Sequence, residues 1–113
     1  MHEMSLAESM LQLVEETAHR EQAKCVKTIL IEIGQLACVE PEALKFCFEA
    51  VSRRTMAEGS RLEIVSVAGT AHCPRCQCVV PLETLYDACP LCGLQPLPPL
   101  SGTEMRVREI EIV

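Results

Sequence analysis

Leu6, Met10, Leu13, Val14 and Ala18 recur at three- and four-residue intervals, while Glu15, Glu16, Arg20 and Glu21 take the opposite side. One apolar stripe of that period predicts an amphipathic helix from about Leu6 to about Glu21. Ser5 followed by Glu8 has the form of a capping box, the hydroxyl accepting a first-turn N–H and the carboxylate reaching back. Such a cap would anchor residues 1–4 just outside the positive end of the helix. From Val26 to Ile33 the period becomes two: Ile29, Ile31 and Ile33 share one face and Thr28, Leu30 and Glu32 the other, with Gly34 as the stop. That alternation predicts a strand.

Glu40-Pro41-Glu42 predicts the start of a second helix, with proline at the first helical position and acids at its positive end. Leu44, Cys47, Phe48 and Val51 form its stripe, and Glu58-Gly59 ends the segment. A second strand is expected from Arg61 to Ala68, where Leu62 and Ile64 alternate with Glu63 and Val65. A cysteine-bearing stretch follows from about Gly69 to Leu94, then the proline-rich Gln95 to Gly102, expected to be stiff and extended. A third strand is expected from Met105 to Val113. Its apolar phase slips between Met105/Val107 and Ile110/Ile112, which suits a bulge or an edge strand. The expected fold class is α+β: a small three-stranded sheet packed with two helices, carrying an inserted module. Residues 1–68 and 103–113 would form one discontinuous α/β domain, and 69–102 the module with its return linker.

The module carries the most specific chemistry. Cys73-Pro-Arg-Cys76 and Cys89-Pro-Leu-Cys92 are two Cys-x-x-Cys knuckles separated by twelve residues. Each knuckle turns two sulfurs toward one point, and four thiolates so arranged suit a closed, tetrahedral structural zinc site of zinc-ribbon type. Four sulfurs leave no open position for water, which argues against zinc hydrolysis and against an enzyme. The rival is a pair of redox dithiols, but redox Cys-x-x-Cys motifs normally occur singly, in a strand-to-helix turn. His72 and Cys78 flank the first knuckle and either could replace a ligand, although spectator roles are the better reading. Cys25, Cys38 and Cys47 are expected to be small buried hydrophobes.

Composition narrows the picture. The chain has 113 residues, 49% of them hydrophobic, with two Phe, one Tyr and no Trp, so its core must be aliphatic. A formal charge of −6 opposes nucleic acid, whose phosphates call for clustered Lys and Arg; a zinc-ribbon nucleic-acid module is therefore the weaker alternative. No signal peptide is expected from Met-His-Glu-Met-Ser, and no apolar run reaches the ~20 residues of a membrane span. Eight cysteines without an export signal favour metal binding in a reducing cytoplasm over a disulfide scaffold.

His2 is a second candidate. The terminal amine of Met1, the His2 backbone nitrogen and the His2 imidazole can wrap a cation in adjacent chelate rings. Nitrogen donors in a plane suit Ni²⁺ or Cu²⁺ better than zinc. A carboxylate from Glu3 or Glu40 could stand beside them. Taken locally, a frayed terminus with a solvated His is the simpler reading, and the helix cap is what improves the case. Glu40 is most simply a helix N-cap, and His19 a solvent-facing helix residue.

Met-His-Glu-Met-Ser-Leu at the start, Leu-Ile-Glu-Ile-Gly in the first strand, Cys38-Val-Glu-Pro-Glu-Ala-Leu44 leading into Phe-Cys-Phe, Ala57-Glu-Gly59, the two knuckles and the closing Ile110-Glu-Ile together resemble the HypA/HybF family of hydrogenase nickel-incorporation proteins. The matching stretches follow one another along nearly the whole chain. The resemblance implies a nickel metallochaperone with one exchangeable Ni²⁺ at His2, Met1 and Glu3 nearby and Glu40 placed where the family can carry an acid. It also implies one structural Zn²⁺ at Cys73, Cys76, Cys89 and Cys92. The implied partners are a HypB-type GTPase and the large subunit of [NiFe]-hydrogenase; the charge and the short apolar runs described above point to no nucleic acid and no membrane, and a homodimer is left open. The chain departs from the pattern at Gln77 and Gly93, where many members follow a knuckle cysteine with His. That departure puts in doubt any switch from Cys to His ligation.

Overall fold

The computed structural model describes residues 2–113. Helix α1 runs Glu3–Arg20, three residues ahead of the expected start. His2 is its N-cap in extended conformation with no side-chain capping bond, and the Leu6 N–H donates to the His2 carbonyl at 3.2 Å to close the first turn. The Ser5–Glu8 capping box therefore does not form; both residues lie exposed inside the helix. The earlier start brings Glu3 into the first turn, where an acid suits the positive helix end, and its carboxylate accepts the backbone N–H of Glu40 at 3.3 Å. The helix closes with Gln22 in the left-handed region (φ 57°) and the Ala23 N–H on the Ala18 carbonyl at 2.9 Å, a Schellman-type ending. Ala7, Met10, Val14 and Ala18 form its buried face. Leu13, expected on that face, is 48% exposed, because the true stripe runs through Ala7 and Leu13 falls just outside it.

Strand β1 spans Val26–Gly34 and helix α2 spans Pro41–Ser52. Glu40 caps α2: its carboxylate accepts the Glu42 N–H at 3.4 Å. Leu44, Phe48 and Ser52 are buried along α2, while Phe46 faces outward. The two helices pack on each other. Strand β2 covers Arg61–Val67 and, past the cysteine-bearing stretch, β6 covers Met105–Ile112. The sheet order is β2-β1-β6, so β6 is an edge strand, and the slipped phase appears as half-buried Met105, Val107, Ile110 and Ile112.

Between β2 and β6 lie three further strands, β3 (Thr70–Cys73), β4 (Cys78–Pro81) and β5 (Pro99–Ser101), forming a second sheet in the order β4-β3-β5. The proline-rich return is more than a linker: it buries Leu97 and supplies β5. By compactness the chain divides into one unit of the residues up to Ile31, Val39–Ile64 and Val107–Val113, and another of Glu32–Cys38 and Val65–Arg106. In the first unit, Val26, Ile29, Ile31 and Ala57 are buried along with the helix residues named above. The core of the second unit is Leu36, Ala71, Cys73, Val80, Leu82, Cys89 and Leu97. Cys25 and Cys38, expected to be buried, are exposed, and Cys47 is half-buried. Cys25 precedes β1 and Cys38 follows it, so neither shares in the strand's burial.

Within the second unit the backbone closes on itself at glycines. The Leu36 N–H donates to the Gly102 carbonyl and the Gly34 N–H to the Glu104 carbonyl, both at 2.7 Å. A Cβ on Gly34 would overlap the Gly102 carbonyl, and one on Gly102 (φ 99°) would sit 2.5 Å from the Gly69 Cα. Beside this contact the largely buried Glu32 carboxylate accepts from Arg106 Nε at 2.8 Å, and that hydrogen bond raises the guanidinium's pKa. A buried carboxylate is tolerated only with such a partner.

Because the Gly34 clash is with backbone, it cannot be relieved by turning a side chain. Gly34→Ala is expected to destabilise the protein by about 1–3 kcal/mol or more. Denaturant unfolding with a midpoint equal to wild type would contradict that packing.

Candidate metal centres

The first knuckle is the turn between β3 and β4. The Cys76 N–H donates to Cys73 Sγ at 3.4 Å, and the Gln77 N–H donates to the Cys73 carbonyl at 2.7 Å. Gln77 is left-handed, φ 54°. The second knuckle repeats this geometry. The Gly93 N–H donates to the Cys89 carbonyl at 2.8 Å and Gly93 is left-handed, φ 78°. The left-handed residue after each Cys-Pro-x-Cys ends the turn and lets both sulfurs face the same side. The Arg75 guanidinium also reaches the Cys92 carbonyl at 3.5 Å, from one knuckle to the other.

The result is one cluster. The Sγ atoms of Cys73, Cys76, Cys89 and Cys92 all lie within 4.8 Å of one another, with Cys73–Cys92 at 3.6 Å and Cys76–Cys89 at 3.9 Å. A regular tetrahedron with zinc–sulfur bonds of about 2.3 Å has edges of about 3.8 Å. The two short edges bracket that value, so the donor set fits zinc. Cys73 and Cys89 are buried, and Cys76 and Cys92 half-buried.

The sulfurs act on one another's protons. Hydrogen bonding with the Cys92 thiol, then burial and the Cys73 and Cys89 sulfurs, push Cys76 up to about 12. Burial works most strongly to raise Cys89, but the N–H groups of Leu91 and Cys92 aimed at its sulfur, together with the Cys92 and Cys73 thiols, outweigh it and bring Cys89 down to about 7. A divalent cation that displaces these protons would be bound more weakly as pH falls. The loop before the second knuckle is held independently. The Thr84 hydroxyl and the N–H groups of Thr84 and Glu83 all donate to Asp87 and lower its carboxyl pKa.

The flanking candidates separate. His72 is exposed between buried Ala71 and Cys73, so strand alternation turns it to the opposite face from the sulfurs. Cys78 is half-buried and packs against the core that contains Cys73 and Cys89, yet it lies outside the four-sulfur group.

At the chain's start the arrangement is open. His2 is exposed and Glu3 half-buried; Met1, named with them above, lies outside the described residues. Glu3 and Glu40 are joined by the 3.3 Å bond from the Glu40 N–H to the Glu3 carboxylate. His2, Glu3 and Glu40 do not gather into a tight group as the cysteines do. His19 is exposed on α1. Sequence reasoning missed the Glu3–Glu40 bond, for which no local signal exists, and the left-handed backbone at Gln77, which the parallel with Gly93 could have signalled.

A family model described as hydrogenase/urease nickel incorporation, metallochaperone, HypA matches residues 1–112. The chain is 58% identical over 112 residues to hydrogenase maturation factor HypA of Dechloromonas aromatica, covering 99% of each chain. It is 51% identical to the factor of the same name from Albidiferax ferrireducens, again over 99% of each. The solution structure of the Ni metallochaperone HypA from Helicobacter pylori superposes with a TM-score of 0.73 at 26% identity, covering 100% of this chain and 98% of that one.

Gln77 occupies a backbone region that glycine enters freely and other L-residues enter at a cost of about 1–2 kcal/mol. After the greater chain entropy glycine loses on folding, Gln77→Gly is expected to stabilise the protein by about 0.5–1 kcal/mol. Thermal unfolding of the zinc-loaded protein measures it; a lowered midpoint would mean that the Gln77 side chain makes a contact worth more than the strain.

Proposed function

This chain belongs to the HypA family of hydrogenase and urease nickel-incorporation metallochaperones, and we propose that it holds a resident Zn²⁺ at Cys73, Cys76, Cys89 and Cys92 while its N-terminus takes up and surrenders Ni²⁺. The observation that carries the proposal is the contrast between the two sites. The four sulfurs match tetrahedral edges and are half or fully buried, a closed shell from which a metal leaves slowly. His2 is exposed at the start of α1, where nitrogen ligands can exchange. The nickel is cargo: His2 ligates it with the Met1 amine, and the Glu3 and Glu40 carboxylates stand near.

The anchored start of α1 supports this reading. The Glu40 N–H bond to Glu3 joins the beginnings of two helices, so the residue just before Glu3 is held at a defined place. Residues 1–68 and 103–113 serve the nickel function and 69–102 the zinc. The zinc has a structural role, and the protein is a carrier rather than an enzyme. It works with a HypB-type GTPase to supply the large subunit of [NiFe]-hydrogenase, in the cytoplasm, and can do so as a homodimer. Among the described residues no helix is long and apolar enough to cross a membrane.

Two substitutions separate the sites. His2→Gln in untagged protein is expected to abolish stoichiometric Ni²⁺ binding and leave zinc content unchanged; calorimetry showing unchanged nickel affinity would overturn the nickel assignment. Cys76→Ser is expected to release zinc and to unfold the cysteine-bearing unit, since metal binding and folding are coupled there. Retention of both zinc and native circular dichroism would overturn the zinc assignment.

A further inference from the structure

Five cysteines, not four, meet in the cysteine-bearing unit. Cys78 opens β4 directly opposite Cys73 in the β3–β4 ladder. Directly opposed residues of an antiparallel pair project from the same face, so Cys78 shares the face of Cys73, away from exposed His72 and Val79. It packs on the core containing Cys73 and Cys89 but stays outside the four sulfurs a tetrahedral ion would use. Opposed Cα atoms of such a pair lie about 4.5–5.5 Å apart, within the span a disulfide bridges. Cys73 is completely buried, whereas Cys78 retains access to solvent.

We propose that Cys78 is the oxidant-sensing thiol of this unit, and that hydrogen peroxide converts Cys73 and Cys78 into a cross-strand disulfide that expels the zinc. The inference rests on the zinc reading above. In the first step the Cys78 thiol gives two electrons to the peroxide: the O–O bond breaks, an S–O bond forms and water leaves, giving a sulfenic acid. In the second, the Cys73 sulfur departs from the metal and attacks Cys78 Sγ. The S–S bond forms, the S–O bond breaks and hydroxide leaves. One peroxide is reduced and two cysteines are oxidised, with no further co-reactant. Left with three of its four protein ligands, the ion sits in an open site and is lost to solvent or to a competing chelator. A thiol reductant reverses the change.

The four clustered sulfurs offer a competing outcome, because Cys73–Cys92 and Cys76–Cys89 are already 3.6 and 3.9 Å apart. Their sulfurs, however, are occupied by the metal, and Cys78 is the neighbouring thiol that is not. Oxidation that starts at Cys78 therefore differs from oxidation that starts within the cluster in which bond it makes.

The test uses the full-length zinc-loaded protein, hydrogen peroxide, a chromogenic zinc chelator and disulfide mapping by mass spectrometry. Wild type should release zinc with a Cys73–Cys78 cross-link. Cys78→Ser should begin with the same zinc content and release it at least about fivefold more slowly, while Cys25→Ser should match wild type. Equal release rates for wild type and Cys78→Ser, or Cys73–Cys92 and Cys76–Cys89 cross-links with Cys78 free, would overturn the proposal. Zinc content before peroxide checks the underlying reading separately. Protein purified without zinc would overturn that reading and the expulsion with it, while the cross-link map would still decide the disulfide.

Discussion

Four sulfur atoms within 4.8 Å of one another are the constraint on which the cysteine-bearing unit depends. Two of the seven residues in its core are Cys73 and Cys89 of that cluster, so removing the sulfurs would remove a large part of the core as well. Thiolates this close repel one another unless a cation or shared protons lie among them; hydrogen bonding with the Cys92 sulfur, then burial, pushes Cys76 up to about 12. A metal held by these sulfurs would therefore couple its binding to the folding of this unit. The left-handed residues Gln77 and Gly93 and, before the second knuckle, the bonds to Asp87 shape the backbone of the segment that carries it.

The N-terminal site proposed for nickel would work under the opposite requirement. A carrier must release its cargo, which argues for few ligands, exposure and no enclosing shell. His2 meets those conditions. The cost of an exposed terminal site is fraying, and the first turn of α1 offsets it: the Leu6 N–H on the His2 carbonyl and the Glu40 N–H on Glu3 hold the segment without covering it. Both helix beginnings are positive ends that favour acids, so Glu3 and Glu40 have a structural use whether or not a metal is near. That dual use would let both carboxylates stand beside the proposed nickel site without forming a rigid cage.

Legibility along the chain followed the range of the interaction. The strands beginning at Val26, Arg61 and Met105 and the second helix could be read from period and from Pro41, because neighbouring residues decide them. The Ser5–Glu8 capping box was a sound local pattern that failed because a contact between residues 37 positions apart, Glu3 and Glu40, favoured an earlier start. Cys25 and Cys38 have side chains typical of interiors, but they flank β1 instead of belonging to it. The short strands β3, β4 and β5 had too few residues to show a period, and β5 lies in a proline-rich stretch that reads as linker.

The sequence by itself determined the α+β class, the order of the main elements, the four-cysteine cluster and the family. Each of these is written in spacing: periods of 3.6 and 2, and paired Cys-x-x-Cys motifs. Only the tertiary structure decided the 3.3 Å bond that anchors the start of α1, the sulfur–sulfur distances that match a tetrahedron, and the pairing of Cys78 with Cys73. Those depend on segments brought together through space, and no local pattern records which distant backbone group a side chain will meet.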